Sequence, residues 1–284
     1  MKILALNGSL RKNGNTEILL KQALMGCEAE GAEVEILKLT DFEIKPCKGC
    51  GLCLFKKDYC VNQGDGVDQI FDKVDRADGL LLGTPCYFLE ATAVIKQLID
   101  RCWVRGHQID KKIKPASVII PYATYGWISV VMLQPNLLLS LLGMKKVNQL
   151  IVNTQGITEV VLEQDPMDQA YSIGKELAGA VKSGDYNYRG KPGVCPLCHD
   201  SLLRIFNQNR SVECPLCGIR GELKIIDGRI DVTFDEKEFY RARLTFEDSY
   251  NHFTYHIKPS KEFFIMTKDE RKQKGSKFKE YLKS

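Results

Sequence analysis

Two periods alternate along residues 1–185, and that alternation limits the possible folds more than any single motif. The runs Lys2–Leu6, Glu33–Leu39, Gly79–Gly83, Ala116–Ile120 and Val147–Val152 are short, apolar or alternating, and read as strands. Between and after them, Asn15–Glu30, Val67–Asp75, Ala91–Val104, a segment holding Leu137–Leu142, and Pro166–Val181 place apolar residues at helical spacing, as in Val67, Ile70, Phe71 and Val74. Strands separated by helices cannot pair as tight hairpins. They predict a parallel sheet covered by helices on both faces. The expected class is therefore α/β, a doubly wound sheet of five parallel strands.

The pattern stops at Gly184–Gly193, where three Gly, two Tyr and a Pro read as a linker. Residues 1–185 thus form the first expected domain. Residues 186–233 hold short alternating runs and read as a small β module, and residues 234–284 are polar, dotted with aromatics, and read as a helical tail. Residues 1–185 carry 21 Lys+Arg against 22 Asp+Glu, whereas Arg271–Ser284 carries six against one. A basic end this short reads as a solvated tail, and nucleic acid is not expected as a partner. His252 and His256 share a helical face there but have no further ligands nearby in sequence, so packing with Phe253 and Tyr255 is expected. The apolar stretch Ile128–Met144 is interrupted by Gln134, Pro135 and Asn136, so no membrane span is expected. Ile3–Leu6 is too short for the core of a signal peptide, and the reading is a reducing compartment, the cytoplasm.

The first strand runs into Asn7-Gly-Ser-Leu-Arg-Lys-Asn-Gly-Asn-Thr16, and a helix begins near Asn15. Such a loop offers backbone N–H groups and hydroxyls to an anion, with Arg11 as a fixed positive charge. Its spacing is neither the Walker pattern nor the dinucleotide fingerprint, and a phosphate monoester suits it best. Gly8-Ser9-x-Arg11-x-x-Gly14-Asn15-Thr16 resembles the FMN phosphate loop of the NADPH-dependent FMN reductase and flavodoxin-like superfamily. Gly83-Thr84-Pro85-Cys86-Tyr87-Phe88 is similar to that family's loop beside the isoalloxazine ring, and Ile95-Lys96-x-x-Ile99-Asp100-Arg101 follows it as in the family. Tyr122–Trp127 matches the third loop more loosely. The resemblance implies a flavodoxin-like fold and a phosphate held by Ser9, Arg11, Gly14, Asn15 and Thr16. It implies a flavin bordered by Thr84, Pro85, Cys86, Tyr87 and Phe88, with Thr124, Tyr125 and Gly126 on the third loop. Leu89-Glu90-Ala91-Thr92 departs from the Gly-Ser-type stretch usual in the family.

Eight of the 11 cysteines fall into two groups of four, a clustering that points to metal rather than to a disulfide framework. Cys47, Cys50, Cys53 and Cys60 require a tight loop, which Gly49 and Gly51 permit. The first three spacings are those of the bacterial ferredoxin run, but the last gap is longer and no proline follows. Placed between the second strand and the second helix, the motif resembles the iron–sulfur flavoproteins. That resemblance implies a 4Fe–4S cluster close to FMN, often across a subunit interface, and hence a homo-oligomer, a dimer or tetramer. A four-thiolate zinc site, or a loop without metal, stays open. Cys195-Pro-Leu-Cys198 and Cys214-Pro-Leu-Cys217 have the spacing of a tetrahedral four-sulfur site and look like a zinc ribbon, with iron as the alternative. Leu202–Ile205 and Ser211–Glu213 would form its hairpin arm. Cys27 and Cys102 read as helix residues, and Cys86 as a small packing residue.

The expected function is that of an iron–sulfur flavoprotein oxidoreductase. Electrons would pass between a ferredoxin-like or NAD(P)H donor and a small acceptor through the cluster and FMN. The alternatives are a cluster-free NAD(P)H-dependent FMN or quinone reductase, and a flavin-based redox sensor whose zinc ribbon and basic tail bind a partner or nucleic acid.

Overall fold

In the computed structural model, residues 1–56, 59–105, 112–191, 193, 195–206, 209–243 and 245–279 are described. Val194, at the start of the expected ribbon, and residues 280–284 of the basic tail lie outside them. The chain divides into two units, Met1–Arg243 and Leu244–Ser284.

The first unit is built on a parallel sheet of β1 (Lys2–Asn7), β2 (Glu33–Lys38), β3 (Gly79–Gly83), β4 (Lys114–Tyr122) and β5 (Met144–Asn153), in the order β2-β1-β3-β4-β5. This is the doubly wound order expected from the alternation of strands and helices. Successive residues of a strand point to opposite faces. Ile3 and Ala5 accordingly join Leu81 and Ile119 in a core beneath α1 (Asn15–Ala29) and α5 (Gln164–Ser183). Leu4, Leu6, Leu80, Leu82, Val118 and Ile120 face α2 (Val67–Arg76), α3 (Ala93–Arg101) and α4 (Leu133–Leu141). Cys27 and Cys102 are buried, one in each core, and burial pushes both thiols up to about 12.

The third helix is shorter than the predicted span Ala91–Val104. Thr92 stays extended (ψ 152°), with its N–H and hydroxyl bonded to Thr84 and Gly8. The chain tightens into a 3₁₀ turn at Cys102–Arg105. On the opposite face α1 and α5 touch backbone to backbone. A Cβ at Gly174 would stand 1.8 Å from the Ala23 carbonyl oxygen, and one at Gly26 would stand 2.1 Å from that of Tyr171.

Beyond α5, Gly184 closes the helix in the left-handed region at φ 72°. The chain returns to the edge of the sheet, where the Arg189 N–H donates to the Val147 carbonyl at 2.7 Å. A second sheet follows, antiparallel, of β6 (Arg204–Phe206), β7 (Ser211–Glu213), β8 (Arg220–Ile226) and β9 (Arg229–Phe234). The first pair is the expected hairpin arm. The second pair turns at Asp227-Gly228, both at positive φ (48° and 75°), the Asp-Gly turn whose twist suits a two-residue hairpin.

The second unit is helical. It comprises α6 (Phe246–His252), a π-helical turn at Phe253–Ile257, α7 (Lys258–Met266) and α8 (Lys268–Lys279). The His252 and His256 rings lie 5.6 Å apart. Among the described residues no helix is long and apolar enough to cross a membrane.

Candidate functional site

Because the five strands are parallel, the loops that follow them open at one edge of the sheet, and the order reverses between β1 and β3. The loop after β1 is held down from below. The Gly8 N–H donates to the Gly83 carbonyl at 2.8 Å, and the Ser9 N–H donates to Asn7 Oδ1 at 2.9 Å. A Cβ on Gly8 would stand 3.0 Å from the Ile95 side chain and 3.3 Å from the Gly83 carbonyl oxygen, so the loop lies close to α3 and to the end of β3 there. Gly14 sets the start of α1 in the extended region with no side-chain cap, so first-turn N–H groups stay open to an anion. Ser9, Gly14 and Thr16 are buried in this loop, whereas Arg11 is exposed above it. Asn7 Nδ2 is a buried donor with no partner, which suits an acceptor such as phosphate at this point. Asn15 is placed differently from its neighbours. Its Nδ2 donates to Thr154 Oγ1 (3.2 Å) and the Gly156 carbonyl (2.8 Å), and its Oδ1 accepts from the Val160 N–H, tying this loop to the one after β5.

The loop after β3 is joined to the first through two threonines. The Thr92 hydroxyl donates to the Gly8 carbonyl at 2.8 Å, and the Thr92 N–H donates to Thr84 Oγ1 at 3.3 Å; both residues are buried. Between them the Tyr87 and Glu90 backbones bond reciprocally (2.8 and 3.1 Å) around Phe88 and Leu89, both at positive φ (49° and 73°). This is a hairpin turn of the type that normally takes Asn-Gly, here made of bulky residues at a conformational cost. It drives the Phe88 ring outward, where it is 89% exposed, beside the exposed Tyr87. Pro85 and Cys86 are half-buried. The Cys86 N–H donates to the Pro121 carbonyl (3.0 Å) and its thiol to the Trp127 carbonyl (3.1 Å), which fastens the third loop to the second. On that third loop, Thr124, Tyr125 and Gly126 are exposed, with Gly126 at φ 81°. The structure therefore brings all three predicted loops to one edge. Thr92, missed as a site residue in the sequence, is the pin between the first two loops.

The first four cysteines occupy the loop between β2 and α2, on the same edge. Gly49 and Gly51 take the positive φ values (61° and 68°) that the tight spacing demands, and Gly51 opens a 3₁₀ turn at Leu52–Leu54. Cys47 and Cys50 are exposed, and Cys53 and Cys60 half-buried. Burial pushes the Cys53 thiol up, and the neighbouring Cys60, Cys47 and Cys50 push it further, as expected of four thiolates crowded without a cation. Their sulfurs do not close to single-ion distance. Among the described residues only the second tetrad has its ligand atoms within 4.8 Å of one another. Four thiols on one loop, two of them exposed, are a donor set that suits a metal centre.

In the second tetrad, Cys195 and Cys217 sulfurs stand 3.5 Å apart, as do those of Cys198 and Cys214. A tetrahedral ion with metal–sulfur bonds of about 2.3 Å would set sulfurs about 3.8 Å apart, so one ion fits. Both knuckles end alike, in a residue at positive φ: His199 (57°) after Cys198 and Gly218 (77°) after Cys217. Hydrogen bonds from Cys198, Cys214 and Cys217 drive Cys195 down, and donation to Cys195 drives Cys198 up. The tetrad is seated on the parallel-sheet layer. Leu133 and Leu137 of α4 pack against it, Asn136 Nδ2 donates to Asp200 Oδ2 at 3.1 Å, and the Tyr188 and His199 rings stack at 3.9 Å.

Residues 1–157 match the NADPH-dependent FMN reductase family. An iron–sulfur flavoprotein of Archaeoglobus fulgidus is 33% identical over 192 residues, 68% of this chain and 84% of that protein. One from Methanocaldococcus jannaschii is 42% identical over 101 residues, 36% of this chain, and there the match spans about half of the relative's length (51%). A solved structure described as a flavone reductase has the same fold along 100% of this chain and 99% of its own, with a TM-score of 0.83 at 23% identity. A family match over more than half of the chain, together with an alignment that runs through most of an iron–sulfur flavoprotein, identifies this chain as a member of the NADPH-dependent FMN reductase family, a flavin-dependent oxidoreductase related to the iron–sulfur flavoproteins.

Proposed function

We propose that the chain is an iron–sulfur flavoprotein that moves electrons between a ferredoxin-like carrier or NAD(P)H and a small acceptor, in the cytoplasm, as a homo-oligomer. The observation that carries this reading is the common edge. The cysteine loop after β2 and the three flavin loops after β1, β3 and β4 leave the sheet on the same side. When bound, FMN supplies two-electron chemistry with nicotinamides and one-electron chemistry with metal centres, and a 4Fe–4S cluster supplies the latter alone. In this reading Ser9, Arg11, Gly14 and Thr16 hold the phosphate. Asn15 secures the loop from the β5 side. Thr84, Pro85, Cys86, Tyr87 and Phe88 border the ring, with Thr124, Tyr125 and Gly126 beside them. Cys47, Cys50, Cys53 and Cys60 hold the cluster, and Cys195, Cys198, Cys214 and Cys217 hold zinc.

The test is an anaerobic absorption spectrum with iron, sulfide, zinc and flavin measured per chain. One FMN, four irons, four sulfides and one zinc are expected from the donor sets. Flavin without iron or sulfide would return the cluster-free NAD(P)H-dependent reductase instead. Thr92→Val, which removes the hydroxyl shared by Gly8 and Thr84, is expected to cost about 1–2 kcal/mol and to weaken FMN binding. Flavin fluorescence titration checks it, and unchanged affinity would mean that the two loops are held independently.

A further inference from the structure

Beneath the first cysteine loop lies an ion pair that the reading above does not use. The side chains of Arg101, at the end of α3, and Asp65, just before α2, are 1% and 0% exposed. Arg101 Nη1 donates to an Asp65 carboxylate oxygen and to the Lys45 carbonyl at 2.9 Å, and Nη2 donates to the Asn62 carbonyl at 3.2 Å. Asp65 in turn accepts from the Lys45 and Val67 N–H groups at 3.1 and 3.2 Å. Asn62 Nδ2 closes the ring by donating to the Pro46 carbonyl at 2.7 Å. Both ends of the segment that carries Cys47 to Cys60 are thus fastened to one guanidinium. The group does more than fasten. It lies beside the Cys60 thiol, to which the guanidinium hydrogen-bonds, and of its nitrogens Nε is buried with no acceptor of its own. A buried donor lacks a partner only rarely, and a cluster thiolate or sulfide is the acceptor this one is missing.

We propose that Arg101, balanced by Asp65, sets the reduction potential of the cluster held by Cys47, Cys50, Cys53 and Cys60, by presenting a positive charge and a hydrogen bond at the Cys60 ligand. The proposal rests on the cluster reading given above. On reduction the cluster gains one electron and one unit of negative charge, with no proton and no bond broken. A neighbouring cation and a hydrogen bond to the ligand sulfur favour the more negative form, so they raise the potential. Asp65 lowers it again by neutralising most of that charge. Arg101 is therefore a tuning and positioning residue, not a catalytic one.

The test is a potentiometric titration of the full-length protein followed by electron paramagnetic resonance, with iron and sulfide counted in each sample. Arg101→Gln is expected to lower the cluster midpoint, cutting the ratio of reduced to oxidised cluster at a fixed potential about tenfold, which is ~59 mV for a one-electron couple. Asp65→Asn, which leaves the arginine charge uncompensated, is expected to shift the midpoint upward. Arg101→Lys, which keeps the charge, is expected to stay near the wild type. A purely structural role predicts loss of iron in both Arg101→Gln and Asp65→Asn with no opposed shifts, so midpoints that are unchanged or move together overturn the proposal. Should Arg101→Gln fail to load its cluster, the sign of the Asp65→Asn shift decides, and loss of iron from all three variants also overturns it. A wild-type protein without four irons removes the cluster reading itself. A loaded wild type with unmoved variants removes only the role of Arg101.

Discussion

Cys214→Ser is expected to empty the second tetrad and to unfold the ribbon around it while leaving the parallel sheet intact. The reason lies in what the small sheet has for a core. Its buried cluster consists of Cys195, Cys214, Leu216, Cys217, Ile219 and Ala242, so half of it is ligand. The strands themselves bury little, and on β8 and β9 Ile225, Ile226 and Ile230 are all more than half exposed. A module this poor in apolar burial is expected to depend on a metal held by the tetrad; binding in comparable four-ligand sites contributes about 10–16 kcal/mol to folding. Serine offers a harder, far less acidic donor, and the remaining three thiols would face one another without a full cation shell. Metal analysis should give about one equivalent less zinc per chain, and limited proteolysis should cut within residues 195–234. The parallel sheet has its own two cores and should keep its flavin. A Cys214→Ser protein that retained its metal and resisted protease would show that the ribbon is held by contacts with α4 and the linker instead.

Gly174→Ala should destabilise the flavin layer far more than one methyl group ordinarily does. The added Cβ would stand 1.8 Å from the Ala23 carbonyl oxygen, and that neighbour is helix backbone, which cannot swing aside as a side chain would. The two helices must separate. Separation also strains the Cys27 thiol, which donates to the Gly174 carbonyl at 3.2 Å. Forced overpacking costs about 1–3 kcal/mol, and a backbone-to-backbone clash belongs at the upper end or beyond. For a unit of this size, 3 kcal/mol corresponds to a fall in Tm of roughly 6–12 °C. Because α1 begins at the phosphate loop, moving it should also weaken FMN binding. Gly179→Ala, in the same helix, is the matched control. Nothing lies within 4 Å of a Cβ there, so the substitution should leave Tm unchanged or raise it by the usual glycine-to-alanine gain of about 0.5–1 kcal/mol. Equal Tm values for the two variants would sink the idea that α1 and α5 are held by backbone contact.

Much of the fold is legible in the sequence because its strands are buried on both faces and its helices on one. Gly79–Gly83 keeps its predicted bounds, and α2 exposes the spacing of Val67, Ile70, Phe71 and Val74 in full. The shortened α3 is not legible. The residues that stop it, Thr84 and Gly8, are far away in sequence, and Thr92 reads as a neutral position until their bonds are known. The β8–β9 hairpin carries a visible sign, Asp227-Gly228 between alternating residues, but lies in a segment where the cysteine spacing dominates the reading. The three loops proposed to hold the flavin are legible as motifs because glycines and a proline punctuate them. Arg101 is visible only as a charge where α3 continues from the buried Leu98, an oddity whose meaning depends on Asp65, Asn62 and Lys45 arriving from another loop.

The shared edge of the parallel sheet also bears on how such a protein changes over time. An insertion between β2 and α2 alters neither strand register nor helix packing, and lengthening a surface loop costs only about 0.6 kcal/mol per doubling. The cysteine segment therefore behaves as a cassette. Between its fastened ends, Lys45 and Asn62, it can be lengthened or rewritten while the scaffold stays as it is, and each change falls on the rim that also carries the loops after β1, β3 and β4. The selection that refines the chemistry thus acts on loops, and the selection that keeps the chain folded acts on strands and helices, with few residues answering to both.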